Sequence, residues 1–518
     1  MLIRITMGKL TVVLIAIFAS TLANIIPQEH LEDDDSYMHS YEPISRGPYA
    51  IIPEETNAKY WTDLAKETIK KKLNTPINTN VAKNIIMFLG DGMSIPTLKA
   101  ARVYNGQIGG FDGEGVPLSF EEFPYSGLSK TYCLNTQVPD SACTATAYLC
   151  GVKAIHGTIG VDGRVTKSDC DASLDESTHV YSIAKWSQEQ GKRTGIVTTT
   201  RVTHASPAGA YAHTANRDWE AYGDGPAACP DIADQLIHGE TGKNFDVILG
   251  GGRRAFIPNT LTDEEGSKGK RQDGRNLIEE WKDINGDNAH YVWNRDDLLN
   301  LPSNTSKILG LFESSHCVYN LETTDKEPSL EEMTVSAIEL LSKKGDGYFL
   351  FVEGGRIDHA HHDTRAHKAL DETVQFSKAI QRARDITSEE DTLIVVTSDH
   401  AHVMNVNGYA NRGNNIFGVG GKGSDGIPYL TLSYGNGPGH RNDVNGARYD
   451  VSNDNTNDKN YEFPALAPLG SETHGGDDVG VFASGPWAHL FSGVIQQNVI
   501  PHTMAFAACV GDGPTACD

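Results

Sequence analysis

Three short apolar runs, Ile85 to Leu89, Tyr348 to Val352 and Thr392 to Thr397, have the length and the β-branched and aromatic content of buried strands. A fourth run, Thr194 to Thr199, has the same character. Helix-forming stretches separate them, such as Leu330 to Lys343 and Lys368 to Arg384. This alternation predicts an α/β fold with a central, mostly parallel sheet flanked by helices. Upstream, Trp61, Leu64, Ala65, Ile69 and Leu73 return on one face, which predicts an amphipathic helix from Lys59 to Leu73 that packs on the body or contacts a second copy. From about 405 to 470 the chain is rich in Gly, Asn and Asp, with short β-like pieces such as Tyr429 to Tyr434. That stretch is read as a small, irregular, β-rich subdomain inserted late in the main fold.

The residues after the strands carry more information than the strands. The first run leads into Gly90-Asp91-Gly92, the second into Glu353-Gly354-Gly355 and then Asp358, the third into Ser398-Asp399-His400. In an open α/β sheet, ligands bind beyond the carboxyl ends of the strands, so these acidic and imidazole groups are expected on one edge.

The remaining features narrow the setting. With 39% hydrophobic residues among 518, the chain can bury a sizeable core. A formal charge of -24 argues against a nucleic-acid binder, which needs a basic face. Arg4 and Lys9 precede an apolar run from Leu10 to Phe18 and small residues up to Ala23, so residues 1–23 read as a signal peptide. Residues 24–58 follow as a leader, and 59–518 as one domain with its insertion. The run is about half of the roughly 20 residues a membrane span needs. The C-terminus carries no hydrophobic tail of the GPI type, so a soluble, extracellular product is expected.

Eight cysteines and an acceptor sequence at Asn304 fit that compartment. Cys509 with Cys517 and Cys170 with Cys229 are the favoured pairs, although spacing alone does not decide pairing. Cys150 sits in an apolar run and reads as a buried free thiol. Cys133 and Cys143 flank Ser141 and are open to either state.

Asp358 and His362 lie four apart, so on a helix they share one face and can grip one cation. With Asp91, Asp399 and His400 the donors are the mixed oxygen and nitrogen set that suits zinc, and a hard oxygen set beside it suits magnesium. Ser141 follows Pro139 and Asp140 at the start of a run of helix formers, where amides and dipole favour an anion. Capping by Ser141 or Asp140 is the plainer explanation of that position. No G-x-S-x-G elbow accompanies it, so a serine nucleophile here needs a cation for activation.

Six ordered segments then resemble the alkaline phosphatase family in its eukaryotic form: Phe88 to Met93, Asp140 to Ala147, Thr203 to Gly209, Val352 to His359, Ser398 to His400 and Glu472 to Gly476. The resemblance runs from about Tyr60 to the C-terminus. It implies hydrolysis of phosphate monoesters of many alcohols through a phosphoserine at Ser141, with Arg217 as the phosphate clamp. It further implies one zinc at Asp358, His362 and His474, a second at Asp91, Asp399 and His400, and magnesium at Asp91, Ser206 and Glu353. His204 and His359 match outer positions of the animal enzymes. A looser match implies a calcium site at Glu265, the Phe312 carbonyl, Glu313 and Glu327. A homodimer, formed through the N-terminal helix and the inserted subdomain, is implied in the same way. Sulfatases and phosphodiesterases share strand-end ligands, but no C-x-P-S-R-like context surrounds Ser141, and phosphodiesterase relatives usually present Thr.

Overall fold

The computed structural model describes residues 53–517, Lys344 excepted; the expected signal peptide and nearly all of the expected leader lie outside the described residues. A ten-stranded sheet forms the centre. Its strands, in chain order, are β1 Asn84–Gly90, β2 Tyr125–Lys130, β3 Arg193–Arg201, β4 Val247–Gly251, β5 Ala289–Val292, β6 Lys307–Leu311, β7 Tyr348–Gly354, β8 Thr392–Thr397, β9 Val479–Ser484 and β10 Gly493–Gln496. They lie in the order β10-β2-β9-β8-β1-β7-β3-β4-β6-β5. The seven from β8 to β5 are mutually parallel, and β9 runs antiparallel to β8 and β2.

The helices used below are α1 Ala58–Asn74, α2 Ile95–Ile108, α3 Ser141–Cys150, α4 Ala205–Ala208, α5 Leu330–Leu341, α6 Arg356–His362, α7 Ala366–Ile386 and α8 Val499–Ala508. The central strands are apolar throughout because both faces are covered. Along β1, Ile85, Met87 and Leu89 join a core with Tyr148 and Leu149 of α3 and Met504 of α8. Ile86 and Phe88 point the other way, toward Leu98 of α2, Met333 of α5 and Phe376 of α7. Period-two alternation thus feeds two cores from one strand.

Register places the site. Gly90 pairs with Gly354 and Leu89 with Thr397, so β1, β7 and β8 end together. Their carboxyl ends deliver Asp91, Glu353 and Asp399 to one edge. Between β8 and β9 lie one three-stranded sheet, formed by Met404–Val406, Leu432–Gly437 and Ala465–Pro468, and two two-stranded sheets, one of them pairing Ala401–His402 with His474–Gly475. The helix expected from Lys59 to Leu73 forms as α1, but none of its residues is buried. Its packing on the body of its own chain is therefore corrected. Three disulfides are present, Cys133–Cys143, Cys170–Cys229 and Cys509–Cys517, while Cys150 and Cys317 are buried thiols.

Candidate active site

The loop after β1 turns at Gly92, whose φ is +66°, and a Cβ there would meet His402 Cδ2 at 2.3 Å. Only glycine permits that turn beside the histidine. The freed Gly92 amide donates to Asp399 Oδ1 at 2.9 Å, as does the His400 amide. Asp399 Oδ2 is left facing inward at 3.1 Å from His400 Nε2. Both oxygens of Asp91, Asp399 Oδ2 and Glu353 Oε1 are buried and have no hydrogen-bond partner among the described residues. Burial, and then Asp399, Asp358 and Glu353 beside it, push the Asp91 carboxyl well above its ordinary range. Burial likewise raises Glu353 to about 7, although Thr198 and Thr200 hydroxyls donate to its Oε2.

A second group forms on α6 and the β-bridge beyond β8. On α6, Asp358 and His362 share one face, and His474 arrives from the bridge His474–Gly475. The His362 and His474 Nε2 atoms are 3.1 Å apart, and each lies 3.4 Å from an Asp358 oxygen. His362 Nδ1 donates to the Glu472 carbonyl and His474 Nδ1 to the Pro139 carbonyl. With those protons on Nδ1, both Nε2 lone pairs face the Asp358 carboxylate across one small space. Apart from the His402 proton on Asp358 Oδ1, these facing acceptors meet no donor, so the set fits a metal. The same holds around His400, whose Nδ1 faces the Ala401 carbonyl and whose Nε2 lies 3.3 Å from Ser141 Oγ and 3.5 Å from Asp91 Oδ1.

Ser141 is the first residue of α3, and Asp140 is its N-cap, accepting from Cys143 N at 3.3 Å. The plainer explanation therefore falls to Asp140 and frees the Ser141 hydroxyl. Arg217 Nη1 donates to Asp140 Oδ2 at 3.2 Å, and its Nη2 lies 3.1 Å from His204 Nε2. Ser206 on α4 is fully buried beside Glu353, outside hydrogen-bond geometry. Asp91, His204 and Glu353 form a third donor group. His359 turns instead toward Arg356, at 3.1 Å, and its ring packs 4.2 Å from that of His316.

The outlying acidic residues are partly united. Burial and the adjacent Glu313 push Glu327 up to about 8, with Glu265 in electrostatic reach. Glu265, however, accepts from the fully buried Arg253 at 2.9 Å. Two participants escape the sequence reading. His402 donates through Nε2 to Asp358 Oδ1 at 2.6 Å and through Nδ1 to Glu472, and these two acids raise it to about 10 against burial. The spacing Asp399-His400-x-His402 was the available signal, since residues two apart on an extended segment share a face.

The alkaline phosphatase family profile matches residues 82–510. The chain is 51% identical over 480 residues to "Membrane-bound alkaline phosphatase" of Bombyx mori, covering 89% of this chain and 87% of that protein. It is 48% identical over 480 residues to "Alkaline phosphatase, tissue-nonspecific isozyme" of Homo sapiens, covering 89% and 91%. Among solved structures, the alkaline phosphatase of the Antarctic bacterium TAB5 aligns at TM-score 0.59 with 22% identity, over 84% of this chain and all of that one. One of these relatives is named as membrane-bound, so likeness assigns no soluble form. Among the described residues, no helix is long and apolar enough to cross a membrane.

Proposed function

The chain belongs to the alkaline phosphatase family of phosphomonoesterases, and from that membership we propose that Ser141 carries the phosphoryl group between the substrate alcohol and water. The observation that carries this reading is His400 Nε2 at 3.3 Å from the Ser141 hydroxyl, backed by Asp91 and Asp399, whose inward oxygens have no hydrogen-bond partner among the described residues. Two zinc ions, held by Asp358, His362 and His474 and by Asp91, Asp399 and His400, and one magnesium, held by Asp91, Ser206 and Glu353, would supply Lewis-acid charge for developing oxyanions.

Ser141 Oγ attacks phosphorus in line, the bond to the ester oxygen breaks, and the alcohol leaves with a proton. Arg217 holds two phosphoryl oxygens with its planar fork, and Asp140 orients that fork. Water then displaces Oγ from phosphorus, phosphate departs, and the serine regains its proton. The groups named here address the phosphoryl end alone, which supports broad alcohol specificity.

Turnover of p-nitrophenyl phosphate should vanish in chelator and fall at least 10³-fold in Ser141→Ala. Labelled phosphate should be trapped on wild-type enzyme only. Full activity in the variant, or indifference to chelator, would sink the mechanism. Faster cleavage of diesters or sulfate esters would favour the related classes.

Four further readings belong to the same proposal. Export rests on residues 1–23 and on Asn304, which is exposed. The domain plan keeps 59–518 as one unit with the insertion at about 405–470. A homodimer is supported by the apolar stripe of α1, where Trp61, Leu64, Ile69 and Leu73 are all exposed. A calcium ion at Glu265, the Phe312 carbonyl, Glu313 and Glu327 is supported by Glu327, which burial and then the adjacent Glu313 push up.

A further inference from the structure

Residues 133–140 form a strap without regular secondary structure, leading directly into α3. Its middle is open to solvent, with Leu134, Asn135, Gln137 and Val138 exposed, whereas Pro139 and Asp140 are buried. Three groups of the site hang from that buried end. The Pro139 carbonyl accepts from His474 Nδ1 at 2.8 Å, which sets the tautomer and aim of that histidine. Asp140 Oδ2 pairs with Arg217 at 3.2 Å. Asp140 Oδ1 accepts from Gly157 N at 2.9 Å and from Cys143 N, which caps the helix that begins with Ser141.

The start of the strap is tied to the same helix. Cys133 is bonded to Cys143, two residues beyond Ser141, across a sequence separation of 10. Both sulfurs are buried in a small cluster with Ala154. One further backbone bond, Leu134 N to the Ala154 carbonyl at 3.0 Å, and the Asn135 side chain, accepting from His156 N, hold the exposed part. Removing the bridge would leave a solvent-exposed strap joined at its far end to nucleophile, clamp and metal-facing histidine.

We propose that the Cys133–Cys143 bridge is a positioning device for phosphate recognition, fixing the strap so that Pro139 and Asp140 hold His474, Arg217 and the start of α3 in one geometry. The inference rests on the roles given above to Ser141 and Arg217. Sites of this kind tolerate displacements of about 0.5 Å, and misplacement near 1 Å costs up to about 10²-fold. The bridge therefore acts on phosphate affinity, whereas the large two-sided core carries the fold.

The test is the double variant Cys133→Ala, Cys143→Ala, read beside Cys509→Ala, Cys517→Ala as a bridge remote from the strap. In the first, KM for p-nitrophenyl phosphate and the inhibition constant of inorganic phosphate should each rise about tenfold, with the melting temperature within a few degrees of wild type. In the second, the phosphate constant should stay within twofold. Should the first variant fail to fold, wild-type enzyme reduced with tris(2-carboxyethyl)phosphine in zinc- and magnesium-replete buffer gives the same reading. Alkylation then maps the thiols, and circular dichroism verifies the retained fold. An unchanged phosphate constant in folded, bridge-free protein overturns the inference, as do equal losses in both double variants or free thiols at 133 and 143 in native enzyme. Wild-type enzyme without turnover would instead overturn the functional reading on which it stands.

Discussion

Asp140 is 4% exposed and still charged. Burial works against its ionisation, but Arg217, His156 and the amides of Gly157 and Cys143 hold it below the usual carboxylate range. Asp140→Asn keeps an oxygen for the two amides and removes the charge facing Arg217. A charge-assisted hydrogen bond is worth roughly 1.5–3 kcal/mol, so phosphate inhibition should weaken about tenfold or more. Titration of inhibition with inorganic phosphate reads this directly, and an unchanged constant would detach Asp140 from the clamp. Ser141, beside it, is freed from capping by the same residue. The helix cap and the partner of Arg217 are thus one side chain.

Among the elements, α7 carries an unusual burden. It lays Phe376 edge-on against Phe88 of β1 and against Phe120, at centroid distances of 5.9 and 6.2 Å. On the same helix, Glu372 is 5% exposed and is raised to about 7 by burial, while accepting from Asn320 N at 2.7 Å. A carboxyl raised in the folded state costs nothing below its unfolded pKa near 4.5. The penalty grows as pH climbs from there to about 7 and is complete above it. Glu372→Gln preserves the acceptor for Asn320. It should therefore stabilise the protein at pH 8 to 9, by on the order of 2 kcal/mol, with little gain at pH 4. Thermal melts at the two pH values test the sign.

For the whole molecule, the sheet edge gathers four buried carboxylates, Asp91, Glu353, Asp358 and Asp399. Cations bound there stabilise the native state by linkage. Chelator should lower the melting temperature by roughly 5–10 °C, and zinc with magnesium should restore it; an unmoved melt would deny a structural contribution from metal. The exposed stripe of α1 makes a separate prediction. Light scattering should give about twice the mass of one chain, and Trp61→Glu with Ile69→Glu should shift it toward one chain. Because neither side chain is buried in the protomer, circular dichroism should be unchanged. A monomeric wild type would remove the dimer reading.

Sequence by itself determined four of the ten strands of the central sheet and the chemistry of their ends. Strongly apolar runs are buried on both faces, so they announce β1, β3, β7 and β8 and the residues just beyond them, including Asp91, Glu353, Asp358 and Asp399. The i, i+4 pair Asp358 and His362 was legible because a helix repeats locally. Strands β9 and β10 were not, since Gly480 interrupts the apolar run of β9 and β10 is a four-residue edge strand with no buried residue. Nor were the links of Asp140 to Arg217, His402 to Asp358, or Cys133 to Cys143. Each depends on which buried polar atoms meet after packing, a matter of distances that residue order does not encode. Tertiary structure decided that β1, β7 and β8 end in register and that the buried acidic groups they present face one another. That convergence turns a helix-start serine into a candidate nucleophile.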